Sequence, residues 1–206
     1  MAIANPRRAI FDVHCIIETK LRKTRGNLLS TLLNPKAFQE RVFADHDANT
    51  FNALALDLFR YQAQENAVYR EFLGALNVAV DSIQRVEDIP HLPIGLFKSH
   101  EVLTGKRPVE QVFTSSGTTG STTSKHLVTD LALYQRSFMA GFERMYGPVS
   151  DWCVLALLPA YLERAGSSLV YMANAFIEVS QYPESGFYLN NRAELAATLQ
   201  QLEARG

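Results

Sequence analysis

An α/β fold is predicted for this chain, with a helical N-terminal region packed on a mixed sheet and its flanking helices. Three observations carry that expectation. Up to about residue 80 the apolar residues recur at three- and four-residue spacings, after Gly105 short apolar runs alternate with helical segments, and a Gly/Ser/Thr loop separates two of those runs. The expected organisation is a helical region over 1–85 and an α/β phosphate-loop subdomain over 86–206, together forming one compact unit.

The helical region is marked by Leu54, Leu56, Leu58, Phe59, Tyr61, Tyr69, Phe72 and Leu73, which supply apolar faces at helical periods. Ile89 to Lys98 then carries Pro90 and Pro93, three apart. Each removes a backbone donor and fixes its own φ, so this stretch is predicted to be extended or turning, a connector whose apolar residues are packed. Val109–Phe113, His126–Val128 and Trp152–Leu158 read as strands. Asp130–Tyr146 reads as a helix with Leu131, Tyr134, Phe138, Phe142 and Met145 on one face, beginning after a capping-type Thr129 and stopping at Gly147-Pro148. Ser167 or Ser168 can cap a further helix to about Val179 that is apolar nearly all round and is therefore expected to be central.

Composition narrows the function classes. The 20 basic and 21 acidic residues nearly cancel, so bulk electrostatics point to neither nucleic acid nor an anionic membrane as partner. The cluster Lys20, Arg22, Lys23 and Arg25 reads as a solvated helix end. Cys15 and Cys153 are too few and too far apart for a disulfide framework, and both stand in apolar runs, which fits a reducing cytoplasm. The apolar stretch at the N-terminus is broken by Asp12 and His14, unlike a signal peptide, and the run Trp152–Ala160 is far shorter than the ~20 residues of a membrane span. A soluble cytoplasmic protein is expected.

The segment that carries chemistry is Val112–His126, a strand feeding a hydroxyl-rich loop that ends in a cation and a second strand. Gly117 and Gly120 permit backbone angles closed to other residues, so successive N–H groups can turn inward and cradle an anion. Ser115, Ser116, Thr118 and Thr119 can donate to the same oxygens, and Lys125 adds a positive charge at the exit. Phosphate suits such a loop. The segment matches neither the Gly-x₄-Gly-Lys-Ser/Thr phosphate loop nor the Gly-x-Gly-x-x-Gly fingerprint, and no metal-ligand spacing of His, Cys, Asp or Glu is visible.

Ser116-Gly-Thr-Thr-Gly120 after Phe113-Thr-Ser resembles the signature phosphate loop of adenylate-forming enzymes, which include acyl-CoA synthetases, phenylacetate-CoA ligases and luciferases. More narrowly, Ile89–Val102, Gln111–His126, Leu157–Met172 and Ser185–Asn190 resemble the acyl-protein synthetase family, the ligase component of the bacterial bioluminescence fatty-acid reductase. The resemblance implies part of an adenylate-forming N-terminal domain. It implies activation of a fatty acid by ATP, with Mg²⁺, to an acyl-adenylate, then transfer of the acyl group to a thiol, with an acyl-accepting or reductase protein as partner. Carried over by position, Thr114, Ser115, Ser116, Gly117, Thr118, Thr119, Gly120 and Lys125 would hold the phosphates, and Lys125 and His126 would serve the chemistry. The family's downstream Tyr-Gly-x-Thr-Glu motif is absent before Gly206, so the chain is expected to be an N-terminal portion.

Tyr161, Glu163, Arg164, Ser167 and Ser168 lie between a predicted strand and a predicted helix, where open α/β sheets bind ligands, and are expected to face the substrate. Capping serves equally to explain the two serines. His126 can touch a phosphate or the acyl carboxylate, or be a structural residue beside a strand. Cys153 reads as a small buried apolar residue, and Met172 and Phe176 as core that can also line an acyl tunnel. A rival from another class is a non-catalytic phosphate-binding or protein-partner module using the same loop.

Overall fold

The computed structural model describes residues 35–115, 122–159 and 166–205, with side chains from residue 38 onward. It is helix-rich, and the strands among the described residues form two separate two-stranded sheets, where a mixed sheet was expected. Cys15 and the basic cluster at 20–25 lie outside the described residues. The chain divides into two compact units, Met1–Val112 with Gly117–Leu131, and Phe113–Ser116 with Ala132–Gly206.

The first unit opens with helices α1 (Pro35–Phe43), α2 (Ala48–Glu65) and α3 (Ala67–Ala75). Asp47 caps α2 by accepting from Thr50 N–H at 2.8 Å. Asn66 separates α2 from α3 and is buried, so its polar groups must be matched inside the protein. Its Oδ1 accepts from Tyr69 N–H at 3.0 Å, capping α3, and its Nδ2 donates to Thr104 Oγ1 at 3.1 Å. Phe59, Ala63, Tyr69 and Leu73 form the buried centre of this unit. Ile89 and Leu92 of the connector pack against it, and Tyr69 Oη donates to Pro90 O at 2.6 Å. The connector is therefore docked, and it also contains the one-turn helix α4 (Leu96–Ser99), against the expectation of a wholly non-helical stretch. Leu96 N–H donates to Pro93 O at 3.0 Å as the chain turns into that helix.

Strands β1 (Gln111–Thr114) and β2 (Lys125–Val128) pair, and Glu110 N–H donates to Val128 O at 2.8 Å. Helix α5 (Leu131–Tyr146) follows. Its first N–H, on Leu131, is satisfied by the Glu110 carboxylate at 2.8 Å. Thr129, expected as the cap, is buried ahead of the helix, and Asp130 accepts from Arg107 at 2.9 Å. Gly147 ends α5 as expected, with φ +83°, a conformation an L side chain resists.

In the second unit, Phe138 of α5 packs with Val149 and with Ala175 and Phe176 of helix α6 (Ser168–Val179) to make the core. Strand β3 (Leu155–Ala156) pairs in parallel with β4 (Gly186–Phe187), so β3, α6 and β4 make a crossover unit. The strand predicted over Trp152–Leu158 shrinks to two residues for a visible reason. Trp152 N–H closes a turn onto Val149 O, and Val154 N–H is taken by Ser185 Oγ at 2.9 Å, so neither bond is left for a ladder. Helix α7 (Arg192–Arg205) closes the described chain, with Arg205 paired to Glu184.

Candidate phosphate-loop site

The strand that delivers the loop is held from below by aromatic rings. Phe113 is buried with its ring 5.0 Å from Tyr134 and 5.5 Å from Tyr171, centroid to centroid, and Tyr134 and Tyr171 also meet Phe138. Such a cluster of tilted and edge-on rings is rigid as well as apolar. It fixes β1 up to the residue where the chemistry is expected to begin.

Thr114 N–H donates to Gly166 O at 2.8 Å, tying the start of the loop to the backbone just ahead of α6. A Cβ added at Gly166 would stand 3.2 Å from Thr114 Oγ1, so the close approach depends on glycine. Thr114 and Ser115 are exposed, and the Thr114 hydroxyl donates to Gly166 O at 3.5 Å. Ser116, Gly117, Thr118, Thr119 and Gly120 lie outside the described residues, as do Tyr161, Glu163 and Arg164. Lys125 is exposed at the head of β2, followed by half-buried His126 and by buried Leu127 and Val128, which anchor the strand.

Of the residues expected to face a substrate, Ser167 is the N-cap of α6, its Oγ accepting from Val170 N–H at 3.4 Å. Ser168 is hydrogen-bonded to the Tyr134 hydroxyl. Burial pushes the Tyr134 pKa upward, and the bond to Ser168 acts in the opposite direction. Thr114, Gly166, Ser168 and Tyr134 thus form one connected set in the second unit. Cys153 is a free, half-buried thiol 3.9 Å from Ser185 Oγ. Met172 and Phe176 belong to the core of α5 and α6.

Two participants escaped the sequence reasoning. Gly166 precedes the serine pair and signals itself only as a glycine at a strand-to-helix loop. Phe97, in the connector, stacks on His126 with centroids 6.4 Å apart and planes 17° from parallel. Nothing in its local spacing announces that partner.

From Gln111 to Val128 there is no acidic residue, and Lys125 is the one formal charge, so the donor set of the described loop ends suits an anion. Among the described residues no group of three or more His, Cys, Asp or Glu side chains is arranged to hold a metal ion. No helix of the described chain is long and apolar enough to cross a membrane.

A stretch of 68 residues is 40% identical to the long-chain-fatty-acid--luciferin-component ligase of Photorhabdus luminescens, covering 32% of this chain and 58% of that relative. No solved structure matches the chain. The family model for acyl-protein synthetase, LuxE, matches residues 29–166, well over half of the 206, including β1, the loop, β2, α5 and the turn at Gly166. The chain belongs to the acyl-protein synthetase family.

Proposed function

We propose that this chain provides the phosphate-gripping part of a cytoplasmic, adenylate-forming ligase that activates a long-chain fatty acid with ATP and passes the acyl group to a thiol on a partner protein. The observation that carries the reading is an acid-free, hydroxyl-rich loop between two paired strands, its first residue pinned to Gly166 and its last a lysine, inside the stretch matched by the family. The 40% identity to a fatty-acid ligase supports the choice of acid.

In this proposal Thr114, Ser115 and the loop through Gly120 donate to phosphate oxygens, and the Lys125 ammonium offsets their charge. ATP supplies an electrophilic α-phosphorus and pyrophosphate as leaving group. The acid's carboxylate oxygen forms the new bond to that phosphorus as the bond to pyrophosphate breaks. The residues of the loop hold the departing charge still, so the protein needs no nucleophile of its own for this step. With no carboxylate set at hand among the described residues, no side chain of this chain is assigned to Mg²⁺.

Calorimetric titration with ATP and with pyrophosphate, with and without Mg²⁺, tests the reading. ATP is expected to bind more tightly than pyrophosphate. Lys125→Ala should weaken ATP by about tenfold or more, the loss of one charge-assisted hydrogen bond. Equal affinity for the two ligands would leave only a phosphate-binding module, and an unaltered K125A would discard the loop assignment.

A further inference from the structure

Large apolar side chains that reach solvent singly are ordinary on a protein surface, but a contiguous and rigid group of them is not. The second unit carries such a group. Met145 and Tyr146 at the end of α5 are 61% and 54% exposed, and Trp152 is 44% exposed. The Tyr146 and Trp152 rings lie 5.9 Å apart, centroid to centroid, at 77° to one another, and both meet Phe142, at 5.0 and 6.0 Å. Phe142 in turn touches Phe176 of the core at 4.8 Å. Trp152 Nε1–H donates to Tyr146 O at 3.0 Å, which occupies the indole's one donor within the protein and fixes the ring plane. On the other side, Ser180 Oγ donates to Trp152 O at 2.7 Å and Gln181 N–H to Ser150 O at 3.2 Å. These bonds lay the segment with exposed Val179 and Tyr182 alongside Trp152.

Tryptophan and tyrosine are the side chains that most often anchor a protein interface, and rings already held in place lose little freedom when covered. Charge selects among the possible occupants. The segments 142–152 and 178–182 hold three exposed carboxylates, Glu143, Asp151 and Glu178, against one guanidinium, Arg144. Glu143 stands one helical turn before Tyr146, and Asp151 adjoins Trp152. An anionic bilayer is repelled by such a rim, and a second copy would set the same excess of carboxylates against itself. Cationic side chains are favoured twice, by the carboxylates and by the faces of the rings. We propose that Tyr146 and Trp152 anchor a docking surface for a partner protein that presents arginine or lysine among apolar side chains. The surface lies within the second unit and uses none of the residues assigned to phosphate, so it stands or falls apart from the loop.

Trp152 is the only tryptophan of the 206 residues, so its fluorescence reports on this surface alone. The probe is a short amidated peptide of alternating arginine and leucine, compared with its glutamate–leucine counterpart. The arginine peptide is expected to change the Trp152 emission saturably and to bind more weakly as salt is added, and the glutamate peptide to leave the emission unchanged. Tyr146→Ala should lower the affinity about three- to tenfold. The Glu143→Gln/Asp151→Asn double variant leaves the rings in place and should lower it to a similar extent while flattening the salt dependence. Two peptides that bind alike, an arginine peptide that is ignored, or unaltered binding in E143Q/D151N overturns the proposal. So does an emission change on anionic phospholipid vesicles in place of the peptide, or sedimentation of the wild-type chain as a dimer that Y146A dissociates.

Discussion

Tyr69 shows how much one side chain can settle. Its ring meets Phe59 edge-on at 6.1 Å and stacks on Phe72 at 6.4 Å, and its hydroxyl donates to Pro90 O at 2.6 Å, which docks the connector that carries Phe97. Burial pushes its pKa from 10.0 up to about 12. The neutral phenol is the form the fold favours, so its contribution is complete below the unfolded value of 10.0 and is lost as pH rises from there to about 12, where the unfolded chain has released a proton the folded chain still holds. Tyr69→Phe should cost about 1–2 kcal/mol near neutral pH, since Pro90 O loses its donor, yet its stability should fall less between pH 10 and 12 than that of wild type. Urea midpoints measured across that range check this. Two curves that decline in parallel would mean that Tyr69 ionises alike in both states. In the sequence Tyr69 was legible as an apolar-face residue, but its hydrogen bond was not, because the acceptor is 21 positions away in a segment read only as a connector.

Among elements, those defined by local chemistry were the most legible. Helix α5 stops at Gly147 because a residue at φ +83° cannot extend it, and α6 starts at Ser167 because that hydroxyl takes a free N–H of the first turn. Strands fared differently, since a strand needs a distant partner for its bonds: the Trp152–Leu158 run has the right composition but gives Val154 N–H to Ser185, and only Leu155–Ala156 pairs. Helix α7 went unpredicted although Leu195, Leu199 and Leu202 recur at helical spacing; that row buries little, since Thr198 is the helix's buried residue and Leu199 is exposed. Helix α6 was expected to be central on every side, and here composition misled. Val170 is 1% exposed and Phe176 is buried, whereas Leu169 is 50% exposed. Val170→Ala should therefore cost about 1–3 kcal/mol of unfolding free energy and Phe176→Ala about 3–5, while Leu169→Ala should stay within about 0.5. Chemical denaturation of the three variants decides it, and a Leu169 effect as large as that of Phe176 would show α6 to be covered on its outer side as well.

At the scale of the molecule, the loop expected to bind phosphate is also where the chain passes between compact units. The first unit runs through Val112 and resumes at Gly117, and the second takes Phe113–Ser116 before resuming at Ala132. The second unit therefore includes a four-residue segment that interrupts the first in sequence. That segment holds Phe113, whose ring is buried against Tyr134 and Tyr171, and Thr114, whose N–H bonds Gly166 O. The two units should then respond unequally to being cut apart. A chain ending at Leu131 keeps every segment of the first unit, and it should fold with Tyr69 still titrating above an ordinary tyrosine, seen in its ultraviolet absorbance. A chain beginning at Ala132 lacks Phe113 and the Thr114 bond. The ring alone is worth about 3–5 kcal/mol by analogy with phenylalanine truncation in a core, a large part of the 5–15 kcal/mol that holds a typical domain together. It should unfold far more easily than the same segment in the whole protein, and adding a peptide covering 109–116 should recover part of the loss. A second fragment as stable as its parent would mean that Phe113 fills a gap the remaining rings can close without it, and the aromatic support assigned to the loop would then have to be withdrawn.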